Sequence, residues 1–131
     1  MKYPVAIQKD EDSCYGVTVP DIPGCFSAGE SLDEAINNTQ EAISGHLEIL
    51  AEEGELAAKP STVDDHIKND DFAEATWAYV DVDISAFLGK TEKATVTLPK
   101  LLITKIDALV AAGGAKNRSS FLADSALKSL S

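Results

Sequence analysis

Apolar and polar residues alternate from the start of the chain. In KYPVAIQK, residues 2–9, Tyr3, Val5 and Ile7 share one face at period two, the pattern of a half-buried strand. DEDS at 10–13 predicts a turn, and CYGVTVP repeats the alternation with Tyr15, Val17 and Val19, so the two segments are expected to form an antiparallel hairpin. DIPGCFSAGES then holds a proline–glycine bend and a short third strand around Cys25 to Ala28. The period changes at Ser31, where SLDE has the capping-box form. Leu32, Ile36, Ile43, Leu47 and Leu50 make an apolar stripe widened by Ala35 and Ala42, while Glu34, Glu41, Glu48 and Glu52 lie largely outside it. A helix ending near Gly54 is predicted to pack across one face of the sheet.

From Glu55 to Ala75 the pattern is lost, and Pro60 with the acidic DDHIKNDD reads as a loop holding at most a helical turn. ATWAYVDVDIS alternates again, with Val80, Val82 and Ile84 on one face and Trp77, Tyr79, Asp81 and Asp83 on the other, so a fourth strand is expected. A further short strand follows, with Ala94, Val96 and Leu98 facing one way and Lys93, Thr95 and Thr97 the other, until Pro99 opens a helix. Leu101, Leu102, Ile106, Leu109 and Val110 keep helical spacing, Gly113 and Gly114 end it, and Asn117 is a natural N-cap for a last helix. The fold class is α+β: an N-terminal antiparallel sheet with one main helix, in the order βββαβ, over residues 1–88, and a strand with two helices over residues 89–131. That second segment buries too little surface to stand alone. A second copy solves this economically, with two strands pairing antiparallel above four helices.

Charge divides the chain at the same place. Residues 1–91 hold 19 Asp and Glu against 5 Lys, a net of −14, and residues 92–131 hold 3 against 6, a net of +3. The acidic part repels nucleic acid and attracts basic partners, whereas the basic part suits phosphate. Cys14 and Cys25 are too few for a disulfide framework and read as reduced, small apolar fillers on neighbouring strands. With no CxxC pair and only His46 and His66, no metal site or cofactor is expected. A basic-then-apolar leader and an apolar run of spanning length are both missing, so the expected location is the cytoplasm, without a membrane partner.

Two segments carry family resemblances. KATVTLPKLLITKIDALVAAGGAKNRSSFLADSAL resembles a ribbon-helix-helix DNA-binding domain over nearly all of residues 92–130. That resemblance implies a homodimer on operator DNA. Lys93, Thr95 and Thr97 would read base edges in the major groove, while Asn117, Arg118, Ser119 and Ser120 would clamp a phosphate. VTVPDIPGCFSAGESLDEAINNTQEAI, residues 17–43, is similar to the central signature of the HicB antitoxin family, with Pro20, Asp21, Pro23, Gly24 and Gly29 shaping the bend and third strand. The resemblance implies a partial ribonuclease-H-like front domain that binds a small HicA-like ribonuclease toxin. The toxin contact is placed on Asp21, Ile22, Pro23, Gly24, Cys25, Phe26 and Ser27. Trp77 and Tyr79 are candidate anchors, although core packing is their default.

Asp10, Asp12, Asp21, Glu41 and Asp81 invite a two-metal nuclease, but so acidic a chain offers such carboxylates by chance, and a non-enzymatic protein is the expectation. His46 reads as a core-edge histidine and His66 as a loop residue without an identifiable partner. The favoured reading is a type II antitoxin that also represses its own operon. A ligand-sensing ribbon-helix-helix regulator without a toxin is the alternative, and a tetramer is left open.

Overall fold

A computed structural model describes residues 1–9 and 14–130, so the turn expected at 10–13 lies outside the described residues. The chain separates into two compact units, Met1–Gly89 and Lys90–Ser131.

In the first unit β1 (Lys2–Lys9), β2 (Tyr15–Thr18), β3 (Phe26–Gly29) and β4 (Thr76–Asp81) form one antiparallel sheet among the described residues, in the order β3-β2-β1-β4. The register puts Ile7 opposite Val17 and Tyr3 opposite Val80, so the alternating set lands on one face, where Tyr3, Val5, Ile7, Val17, Val19 and Val80 are buried. Across that face lies α1 (Leu32–Glu52), begun by Ser31, whose Oγ accepts the Glu34 N–H at 3.1 Å. Its buried line is Ala35, Thr39, Ile43 and Leu47. The sequence stripe placed Leu32 in the core, yet Leu32 is exposed and polar Thr39 is buried. Thr39 can be there because its hydroxyl donates to the Ala35 carbonyl at 2.7 Å, which satisfies it inside its own helix.

The same helix caps both sheet edges. Asn38 Nδ2 donates to the Ala28 carbonyl at 2.8 Å, and Gln40 Nε2 donates to the Asp81 carbonyl at 3.2 Å. At β3 the helix comes so close that a Cβ on Gly29 would stand 2.3 Å from the Ala35 nitrogen. The two cysteines are not equivalent: Cys25 is buried, whereas Cys14, expected as a filler, is exposed because it lies ahead of β2 and not within it.

β4 stops at Asp81, short of the predicted alternation through Ile84. Val82 still meets Met1, donating to its carbonyl at 2.8 Å and accepting from its ammonium at 2.9 Å. Asp83 then takes the Ser85 N–H at 3.0 Å and turns the chain into a 3-10 turn at Ile84–Phe87. The patternless segment is also more ordered than expected. It carries α2 (Val63–His66) and a 3-10 turn at Asp70–Phe72.

In the second unit residues 91–99 form no strand and are almost wholly exposed. The alternation there has no ladder partner within one copy. α3 (Lys100–Ala111) follows Pro99, Gly113 turns the chain at φ 84°, and α4 (Arg118–Leu130) begins at Asn117, whose Oδ1 accepts the Ser120 N–H at 2.8 Å. Among the described residues no helix is long and apolar enough to cross a membrane.

Candidate functional site

The sheet's second face carries Pro4, Ala6, Gln8, Thr18, Phe26, Trp77 and Tyr79. Register aligns Phe26, Thr18, Ala6 and Trp77 in one row across all four strands. This face would be open apolar surface if the segment 58–75 did not lie over it as a strap. The strap is held by specific bonds. Tyr3 Oη donates to the Ala58 carbonyl at 2.6 Å, the Val63 N–H donates to Tyr79 Oη at 3.0 Å, and Gln8 Nε2 donates to the carbonyls of Asp71 at 3.4 Å and Ala73 at 3.2 Å. Rings complete the cover: His66 stacks on Trp77 with centroids 6.2 Å apart, and Phe72 meets Trp77 edge-on at 5.4 Å. Ala6 consequently has no exposed surface.

The strap is tied to the bend at residues 20–25 through Asp21. Its Oδ2 accepts the Ser61 N–H at 2.8 Å and its Oδ1 the Ser61 hydroxyl at 2.7 Å; His66 Nε2 lies 2.6 Å from that hydroxyl and 3.3 Å from the carboxylate. The Asp21 side chain is 9% exposed and that of His66 21%. An acid, a serine and a histidine meet here, but in the wrong order for a hydrolytic triad. Serine and acid approach the same ring nitrogen, and the hydroxyl proton is given to the carboxylate, whereas a triad places the acid on the far nitrogen. The cluster is a structural lock. Burial first, and then the Asp21 charge, pushes the Tyr3 phenol up to about 12. Burial also raises the Cys25 thiol.

The expected contact residues therefore play different parts. Asp21 faces inward into the lock, Ile22 and Cys25 are core, and Pro23, Gly24 and Phe26 are exposed, with Phe26 at 66%. Ser27 and Trp77 are half-buried, and Tyr79 is 50% exposed. Between bend and strap a slot of about 310 Å³ remains, lined chiefly by Pro20, Ile22, Pro23, Phe26, His66 and Phe72. Ser61 and His66 escaped the sequence reading because they stand 40 and 45 residues from Asp21.

Of the nuclease candidates, Asp10 and Asp12 lie outside the described residues. Asp21 is spent on the lock, Asp81 holds the Met1 ammonium at 3.2 Å, and Glu41 is exposed on α1. Among the described residues no three His, Cys, Asp or Glu side chains stand together to hold a metal ion.

In the second unit Lys93, Thr95 and Thr97 are exposed. Arg118 does not point outward unengaged: its Nε and Nη2 each donate to Asp107 at 2.7 Å, bracing α4 against α3. That pairing holds the Asp107 carboxyl below its usual range. Asn117 acts as the expected cap.

A family model described as the HicB-like antitoxin of bacterial toxin–antitoxin systems matches residues 3–126. The chain belongs to this family. Some of its relatives span its full length. A 14.9 kDa protein from the rep–hol intergenic region of Haemophilus phage HP1 is 42% identical, with 99% of this chain aligned to 98% of that one. The crystal structure of the Burkholderia pseudomallei antitoxin HicB is 48% identical, covers 100% of this chain and 99% of its own, and superposes with a TM-score of 0.81. A chain of the HicA3 and HicB3 toxin–antitoxin complex is 31% identical over 63% of this chain and 99% of its own, with a TM-score of 0.54. This HicB-like protein is thus an antitoxin of a toxin–antitoxin system by family.

Proposed function

We propose that the protein binds and masks an mRNA-cleaving HicA-like toxin through residues 1–88 and represses its own operon through residues 89–131, acting as a dimeric ribbon-helix-helix domain. The observation that carries the first part is the family match over residues 3–126, together with the likeness to a chain from a HicA3–HicB3 complex. A match over 63% of the chain cannot come from the second unit, which is under a third of it. The action is masking, not catalysis. An enzyme that grips RNA is basic, and a front unit of this charge attracts it and competes for its RNA-binding surface. The ribonuclease-H-like reading of this unit rests on the family resemblance.

Several features support the second part. Residues 91–99 alternate yet lack a strand partner, and Val96, Leu101, Leu102 and Leu109 are exposed in one copy. A second copy would pair the segments and cover these side chains, presenting Lys93, Thr95 and Thr97 twice to the major groove. The first-turn amides of α4 at Arg118 and Ser119 have no intrahelical acceptor and suit a phosphate, while Asn117 shapes that turn by holding the Ser120 amide. Arg118 contributes chiefly by keeping α4 against α3. The test is a gel shift with DNA from upstream of the gene. Thr95→Ala with Thr97→Ala should weaken binding by about 10-fold or more while toxin binding and dimer mass stay as in the wild type. Unchanged DNA affinity would remove the ribbon from the account.

A further inference from the structure

We propose that the slot between the bend and the strap is where the cationic toxin seats an apolar side chain flanked by lysine or arginine, with the strap forming one wall of the docking surface. This rests on the antitoxin reading above and adds a wall, the strap, that neither the motif nor the bend suggests. Four observations converge on it. The slot has apolar walls, and at its mouth stands Phe26, an aromatic ring 66% exposed. It is built rather than left over: Asp21, Ser61 and His66 fix the bend to the strap, and Gln8 fixes the strap to the sheet, so the walls keep their separation without a ligand. Such preorganisation lowers the ordering cost of binding. The strap's outer surface is anionic, with exposed Asp64, Asp65, Asp70, Asp71 and Glu74 against Lys59 and Lys68. An apolar slot with an acidic rim complements an apolar side chain set among cations, and a basic RNA-cleaving protein provides that chemistry.

A larger groove of about 660 Å³ lies at the end of α1, edged by Glu48, Glu52 and Glu55 and floored by Leu56, Phe87 and Leu88. It opens beside Gly89, where the chain leaves the unit. It is the competing site in the test.

The experiment titrates this chain with a purified HicA-like toxin, by calorimetry, for three variants. Asp70→Lys with Asp71→Lys reverses the strap rim, Phe26→Ala clears the slot mouth, and Glu48→Lys with Glu52→Lys makes the same charge change on α1. The slot variants should each bind at least about 10-fold more weakly, and the α1 variant within about 3-fold of wild type. Thermal melting and DNA binding should match the wild type in all three. Either slot variant binding within about 3-fold of wild type overturns the proposal, as does an equal or greater loss in the α1 variant. A wild-type protein that does not bind this toxin would instead remove the antitoxin reading on which the proposal stands.

Discussion

Tyr3 is a phenol without exposed surface whose hydroxyl donates to Ala58 and whose proton is retained to about 12. The unfolded chain loses that proton near pH 10, so between pH 10 and 12 the folded state binds more protons and loses stability as pH rises. Alkaline titration of stability should fall by up to roughly 3 kcal/mol over that window, and Tyr3→Phe should flatten this limb while lowering stability at neutral pH by about 1 kcal/mol. Denaturant melts at several pH values measure both. Asp21 makes a second prediction at this scale. Asp21→Ala strands the Ser61 amide and hydroxyl in a part-buried site and should cost about 2–3 kcal/mol in urea unfolding. Asp21 was legible as an important residue of the bend, but not in its role. Its partners come from the strap, and no local pattern encodes a contact made across 40 residues of chain.

Among the elements, β3 and α1 meet with almost no clearance. Gly29→Ala would drive a methyl into backbone at Ala35, not into a flexible side chain, and should destabilise the first unit by about 2 kcal/mol or more, seen as a melting temperature lower by roughly 10 °C. Gly54→Ala, where φ is 78° but the space is open, is strained only through its backbone and should cost about 1 kcal/mol. The elements themselves are largely readable, since β1 and β2 alternate and β3 and α1 follow a turn or cap signal. The strap was not, because its order comes from bonds to other segments: Tyr3, Gln8 and Tyr79 hold it from outside. The end of β4 was misread for a related reason. Val80, Val82 and Ile84 continue the alternation, but Asp83 redirects the backbone by capping the turn that follows. At residues 91–99 the pattern exceeds the structure of one copy, which is what a strand awaiting an identical partner would give.

At the scale of the whole molecule, charge is the organising quantity, −14 over residues 1–91 and +3 over residues 92–131. Steering by the acidic part acts on encounter more than on the bound state. Raising salt from about 50 to about 300 mM should slow toxin association by roughly 10-fold while changing dissociation little, as stopped-flow traces would resolve. The most direct measurement is co-expression of this HicB-like chain with the small reading frame beside its gene, followed by growth and affinity capture. The account predicts that the neighbour arrests growth alone, that this chain restores it, and that the two are recovered as a stable complex. A neighbour that arrests growth whether or not this chain is present, or a chain recovered without it, would contradict the central claim.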